Sequence, residues 1–140
     1  MDLPCYSSPI VQEVFRETIW EYCKKKELSD DNTEMVKILA PLTDNPNTPN
    51  ENRESPIHYA AWFGQIEIVK ILAHLTNNPN AQGRNGDTPI YWAALKGHIE
   101  IVKILAPLTN NPNAPYIDGN TPIMQQLLKE IQKLSKSWPL

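Results

Sequence analysis

Seven residues of this chain return at a fixed interval, and that interval constrains the fold more than any other feature. Glu67-Ile68-Val69-Lys70-Ile71-Leu72-Ala73 recurs unchanged, 33 residues on, as Glu100-Ile101-Val102-Lys103-Ile104-Leu105-Ala106. An earlier copy, Glu34-Met35-Val36-Lys37-Ile38-Leu39-Ala40, lies the same distance before and differs only at Met35. A period of this length belongs to stacked repeats. One helix pair cannot bury its apolar face alone, so stability must come from neighbours in the stack.

The segments between the copies read as helices and turns. Ser8-Pro9 opens an amphipathic helix over about 9–27, with Ile10, Val14, Phe15, Ile19 and Tyr22 at helical spacing. A second helix is expected over about 33–42, capped by Thr33 and ended by Pro41. Ser55-Pro56 starts a helix to Trp62 or Phe63. Gly64 breaks it, and 65–75 form its partner. Thr88-Pro89 opens a third pair, broken at Gly97. In each start the Ser or Thr hydroxyl is placed to accept an orphan backbone N–H, and proline lacks one. Arg84-Asn85-Gly86-Asp87 is a tight-turn signal, and Asp118-Gly119 marks the next tip. Thr121-Pro122 opens a last helix to about Ser135, with Leu127, Leu128, Ile131 and Leu134 on one face. It has no internal glycine break and is expected to run on as one long helix.

These residues resemble the ankyrin repeat. Ser55-Pro56-Ile57-His58-Tyr59-Ala60 matches its Thr-Pro-Leu-His-x-Ala signature, and Thr88-Pro89-Ile90-Tyr91-Trp92-Ala93 follows it more loosely. Gly97-His98 looks like the opening of its second helix. Asn80-Ala81 and Asn113-Ala114 look like the Asn-Ala before its finger loop. The resemblance covers about residues 33–124. It implies an all-α solenoid of helix-turn-helix units with short finger loops. The expected division is a divergent N-terminal capping unit over 1–47, repeats over 48–80 and 81–113, and a C-terminal capping half-repeat over 114–140. The two ends are expected to present polar outer faces. Arg53 stands where a finger glycine is usual, so the first finger is expected to bend differently. Pro41 and Pro107 are expected to shorten the second helices. Asn80 and Asn113 occupy the place where some members are hydroxylated; a turn-forming role is the simpler expectation.

Composition narrows the function. The net charge of −3 leaves no electrostatic footprint for nucleic acid. No apolar run is long enough to span a bilayer. Met1-Asp2-Leu3-Pro4 has no basic start followed by an apolar core, so no secretory leader is expected. Cys5 and Cys23 are expected as free thiols of a protein in the cytoplasm or nucleus. His58, His74 and His98 are the only histidines, and nothing groups them with carboxylates or thiols at ligand spacing. No phosphate loop or nucleophile elbow is present. No catalytic residue, cofactor or metal is therefore expected. The Glu-x-x-Lys spacings read as a solvated helix face.

The expected role is a non-catalytic protein-interaction module or scaffold, monomeric in isolation. The resemblance implies a concave surface formed by the first helices, with fingers beside it. Trp62 and Phe63 fall at outward places just before a glycine, and Leu95 and Lys96 at the same places one repeat later. Trp62 and Phe63 are the expected anchors, since interface hot spots are rich in aromatics. Tyr59 and Trp92 read as packing between units. Glu51, Arg53, Glu54, Arg84, Asp87 and Asp118 of the finger loops form the expected polar rim. The alternative is a structural or self-associating array that packs against another domain of a longer chain.

Overall fold

The computed structural model describes residues 6–27 and 29–137. Cys5 and the side chains of Ile131, Leu134 and Lys136 lie outside the described residues. Seven α-helices and no strand are found among those described: α1 Pro9–Cys23, α2 Asp30–Leu42, α3 Pro56–Phe63, α4 Ile66–His74, α5 Pro89–Lys96, α6 Ile99–Leu105 and α7 Pro122–Ser137. A 3-10 turn, Ala106–Leu108, extends α6. The helices form two rows. First helices α1, α3, α5 and α7 pack on one another in series, and α2, α4 and α6 stack behind them.

The core lies between the rows. Ile57, Ala60 and Ala61 of α3 meet Ile68, Val69 and Leu72 of α4, and the equivalent residues of α5 and α6 continue the layer. The alanines let the rows approach closely. Gly64 allows the reversal between α3 and α4. Its φ is +75°, and a Cβ there would lie 2.7 Å from the His98 ring. Gly97 has a φ of +80° at the equivalent turn, with open space around it.

The helix starts depart in part from expectation. Thr88 Oγ1 accepts the Tyr91 N–H at 3.0 Å and Thr121 Oγ1 accepts that of Met124 at 3.3 Å. Ser8 makes no such bond. At α3 the His58 ring takes part instead: its Nδ1 accepts the Ser55 N–H at 3.0 Å. Helix α2 begins earlier than expected, because Ser29 rather than Thr33 caps it, accepting the Asn32 N–H at 3.2 Å. Asp30 and Asp31 then sit in the first turn, where the helix dipole favours them. Helix α1 stops at Cys23, so Lys24, Lys25 and Lys26 lie beyond it. Pro41 does not shorten α2, which runs through it to Leu42.

The connections repeat as closely as the helices. Asn47, Asn80 and Asn113 each accept, through Oδ1, a backbone N–H ten residues ahead, from Ile57, Ile90 and Ile123 at 3.1, 2.9 and 3.0 Å. These are first-turn donors that a helix cannot satisfy itself. Asn80 is wholly buried, and its Nδ2 also donates to the Asn111 carbonyl. Both ends of its side chain are thus engaged in structure.

Candidate functional site

The aromatic residues of the first-helix row converge. Trp62 of α3 meets Trp92 of α5 edge to face, with ring centroids 4.8 Å apart. Trp92 in turn contacts Tyr91 and Tyr116, and Tyr91 stacks on Tyr116 at 4.9 Å. On the other side Tyr59 meets Trp20 of α1 at 5.3 Å. Edge-to-face and offset contacts are the arrangements that the ring quadrupole favours.

Within this row lies a cavity of about 230 Å³, lined by Glu54, His58, Tyr59, Trp62, Phe63 and Trp92. The expected anchors Trp62 and Phe63 therefore share a wall, but both are half-buried rather than fully outward. Tyr59 and Trp92, expected as packing residues, line the same cavity. Lys96 lies over the Trp62 ring, its Nζ 4.2 Å from the centroid. Leu95 is half-buried and does not line the cavity.

Two carboxylates hold rings of this wall; Glu54 itself lines the cavity, whereas Asp87 is buried and does not. Tyr59 donates its hydroxyl to Glu54 Oε2 at 2.8 Å, and Trp92 Nε1 donates to Asp87 Oδ2 at 3.2 Å. Partial burial holds the Glu54 carboxyl above its ordinary range, and the nearby Asp87 charge adds to this. The Tyr59 hydroxyl is raised as well, first by burial and then by its bond to Glu54. Among the described residues the ion pairs are Glu34–Lys37, Glu67–Lys70, Glu100–Lys103 and Glu130–Lys133, all exposed on single helices. None of them engages Glu54 or Asp87.

His58 sits behind the cavity wall and is buried. A backbone N–H can only donate, so Nδ1 is the acceptor and Nε2 carries the proton, directed at the Asp87 carbonyl 3.2 Å away. Desolvation pushes its pKa down. These contacts give His58 a structural role. His98 faces the Trp62 carbonyl at 3.1 Å, and His74 is exposed elsewhere. No three His, Cys, Asp or Glu side chains among the described residues gather where a metal ion could be held. Cys23 is a free, buried thiol whose pKa burial pushes up, away from reactivity.

The finger loops flank this surface. Glu51, Arg53, Arg84 and Asp118 are exposed, whereas Glu54 is half-buried and Asp87 buried, so Asp87 is not a rim residue. Arg84 ties two fingers together: its Nη2 donates to the Glu51 carbonyl at 2.7 Å and its N–H to the Asn52 carbonyl at 2.8 Å. The first finger is not bent differently. Arg53 takes a φ of 61°, in the same left-handed region as Gly86 and Gly119 at 82° and 83°. The same pair of backbone bonds closes all three fingers. Trp20 and Tyr116 escaped the sequence reading, because each comes from a segment outside the repeated helices.

Comparison with known protein families now bears on the whole arrangement. A model described as ankyrin repeats (3 copies) matches residues 27–83, and one described as ankyrin repeats (many copies) matches 69–106. The chain matches no curated protein. Ankyrin repeats are generally non-catalytic modules of protein–protein interaction. No helix of the described residues is long and apolar enough to cross a membrane. The two matches together cover more than half of the 140 residues and coincide with the two-row stack of helices, so the chain belongs to the ankyrin-repeat family.

Proposed function

We propose that this chain is a non-catalytic interaction module that grips a partner protein on the concave first-helix surface. The cavity between Tyr59, Trp62, Phe63 and Trp92 is the observation that carries the reading. It is large enough for one side chain, and aromatic walls of this kind form the centre of protein interfaces. The side chain that suits it has an apolar stem and a positive head. The stem packs on the rings, and the head meets π faces and the Glu54 carboxylate, the one acidic group that lines the cavity. Glu51, Arg53, Arg84 and Asp118 supply a rim of mixed charge, two acids and two bases. That suits protein rather than a phosphate backbone, which asks for clustered Lys and Arg. Lys96 and Leu95 extend the contact toward the next unit. A cytoplasmic or nuclear setting goes with this reading and is supported by the free thiol of Cys23.

The test is affinity capture with the intact chain, compared with the Trp62→Ala/Phe63→Ala double variant. Thermal unfolding of the variant serves as the folding control, since Trp62 also packs on Trp92. The proposal expects loss of at least about tenfold in affinity, as for truncated hot-spot aromatics. Unchanged capture by the folded variant rules out the anchor.

A further inference from the structure

The aromatic cavity discriminates among the positive heads that a partner could offer it, and this selection rests on the reading of the cavity as the partner's anchor site. Six side chains line it: Glu54, His58, Tyr59, Trp62, Phe63 and Trp92. Their hydrogen-bonding groups are almost all engaged. His58 has both ring nitrogens occupied, one by the Ser55 N–H and the other by the Asp87 carbonyl. Trp92 gives its indole N–H to Asp87, and Tyr59 gives its hydroxyl to Glu54. The Trp62 indole can only donate, and Phe63 has no polar atom. Glu54 is left as the one charged acceptor in the lining, and its Oε2 already holds the Tyr59 hydroxyl. No lysine or arginine among the described residues forms an ion pair with it.

A donor taken out of water without an acceptor costs affinity. A bare lysine ammonium brings three N–H groups and a guanidinium five, so either leaves donors unmet among these walls. Each methyl group on the lysine nitrogen removes one N–H and keeps the positive charge. A dimethylated head brings a single N–H for Glu54 and two methyl groups for the rings, and its charge still meets π faces. Methylation also lowers the cost of leaving water, which is high for a compact, strongly hydrated ammonium. That cost matters here because the chain's own cations already stand at the rings. Lys96 Nζ lies 4.2 Å from the Trp62 centroid and Lys24 Nζ 5.8 Å from that of Tyr59, and neither lysine lines the cavity. Their charges weaken the pull of the π faces on a further cation. Methyl contact and the one bond to Glu54 then decide which head is held.

We propose that the cavity binds the side chain of a dimethylated lysine in the partner protein, with Tyr59, Trp62, Phe63 and Trp92 around the methyl groups and Glu54 accepting the remaining N–H. The module then reads a modification state: the partner is held once its lysine carries the two methyl groups and is released from preference when the lysine is bare. A trimethylated head packs on the same rings but has no N–H for Glu54, so it binds less well than the dimethylated one. Choline, which carries such a head on a different stem, is disfavoured for the same reason.

Nuclear magnetic resonance of the isotope-labelled intact chain tests it. The indole N–H signals of Trp62 and Trp92 are followed as N-acetyl-Nε,Nε-dimethyl-lysine amide is added up to millimolar concentrations and beyond. Trp20, which does not line the cavity and donates to the Thr48 carbonyl, is the internal control. Saturable shifts of Trp62 and Trp92 are expected, with Trp20 shifting less. The unmodified lysine and arginine amides are expected to bind at least about tenfold more weakly, the effect of unmet donors. Trimethyl-lysine amide and choline are expected to bind more weakly than the dimethyl probe. Glu54→Gln keeps the size of the side chain and is expected to weaken the dimethyl probe about tenfold, through loss of a charge-assisted bond. Absence of saturable shifts overturns the proposal. So does a bare lysine or arginine that binds as tightly, a choline that binds more tightly, or a folded Glu54→Gln chain that binds as well as the wild type. The anchor is tested apart from this. Partner capture that is lost in Trp62→Ala/Phe63→Ala, with no preference for the dimethyl probe, keeps the anchor and removes the methyl selection; dimethyl binding with capture unchanged in that variant does the reverse.

Discussion

Arg53 occupies a backbone conformation that costs an ordinary side chain about 1–2 kcal/mol, where Gly86 and Gly119 stand in the other fingers. The loop holds it there. Asn50 N–H donates to the Glu54 carbonyl at 2.8 Å, Arg53 N–H to the Asn50 carbonyl at 3.0 Å, and Asn50 Oδ1 accepts from the N–H groups of Asn52 and Glu54. These bonds outweigh the steric cost, which is why residue type alone misjudged this finger. Arg53→Gly is expected to stabilise the chain by about 1 kcal/mol, the relief of strain less the added freedom of the unfolded chain. Chemical denaturation midpoints read this directly; an unchanged or lower midpoint contradicts it. His58 gives a second prediction. Its pKa is lowered in the folded chain, so between its folded value and about 6.5 the unfolded state binds more protons. Its contribution is complete above about 6.5 and is lost as pH falls toward the folded value. Glu54, shifted upward, acts in the opposite direction. The measurement is therefore the loss of stability between about pH 7.5 and about pH 5.5 in wild type against His58→Gln, with the smaller loss expected in the variant.

At the scale of elements, the helices were legible because their signals are local. Ser-Pro and Thr-Pro starts, the breaks at Gly64 and Gly97 and the apolar spacing place α3 to α6 within a residue or two. Helix α2 was misplaced at its start because Ser29 and Thr33 are both good caps, and the acidic first turn decides between them. The loops were legible only as turns. That each Asn reaches the first turn of the next helix depends on a contact ten residues away, which no local pattern encodes. The contacts predict unequal consequences for equivalent residues. Asn80→Ala leaves the buried Ile90 N–H without an acceptor and is expected to cost about 2 kcal/mol. Asn113 is exposed, so water can replace its side chain, and Asn113→Ala is expected to cost less than about 1 kcal/mol. Equal losses in thermal unfolding contradict this account of the loops.

At the scale of the molecule, the period of 33 gave away the stack, but not what its ends expose. Ile123 and Met35 occupy the same pattern positions as buried interior residues but are exposed, so the ends lack the polar outer faces expected of them. A pattern position reads alike whether a neighbour covers it or not. The concave cavity was half legible. Trp62, Phe63 and Glu54 stood out, whereas Trp92 joined them only once α3 and α5 were side by side. Trp20 and Tyr116 extend the aromatic row from segments that lack the repeat. The central claim is that this row and its fingers, not the back row, hold the partner. Hydrogen exchange on the captured complex tests it most directly. Protection is expected at residues 50–63 and 84–96 with α4 and α6 unchanged; protection confined to α4 and α6 contradicts it.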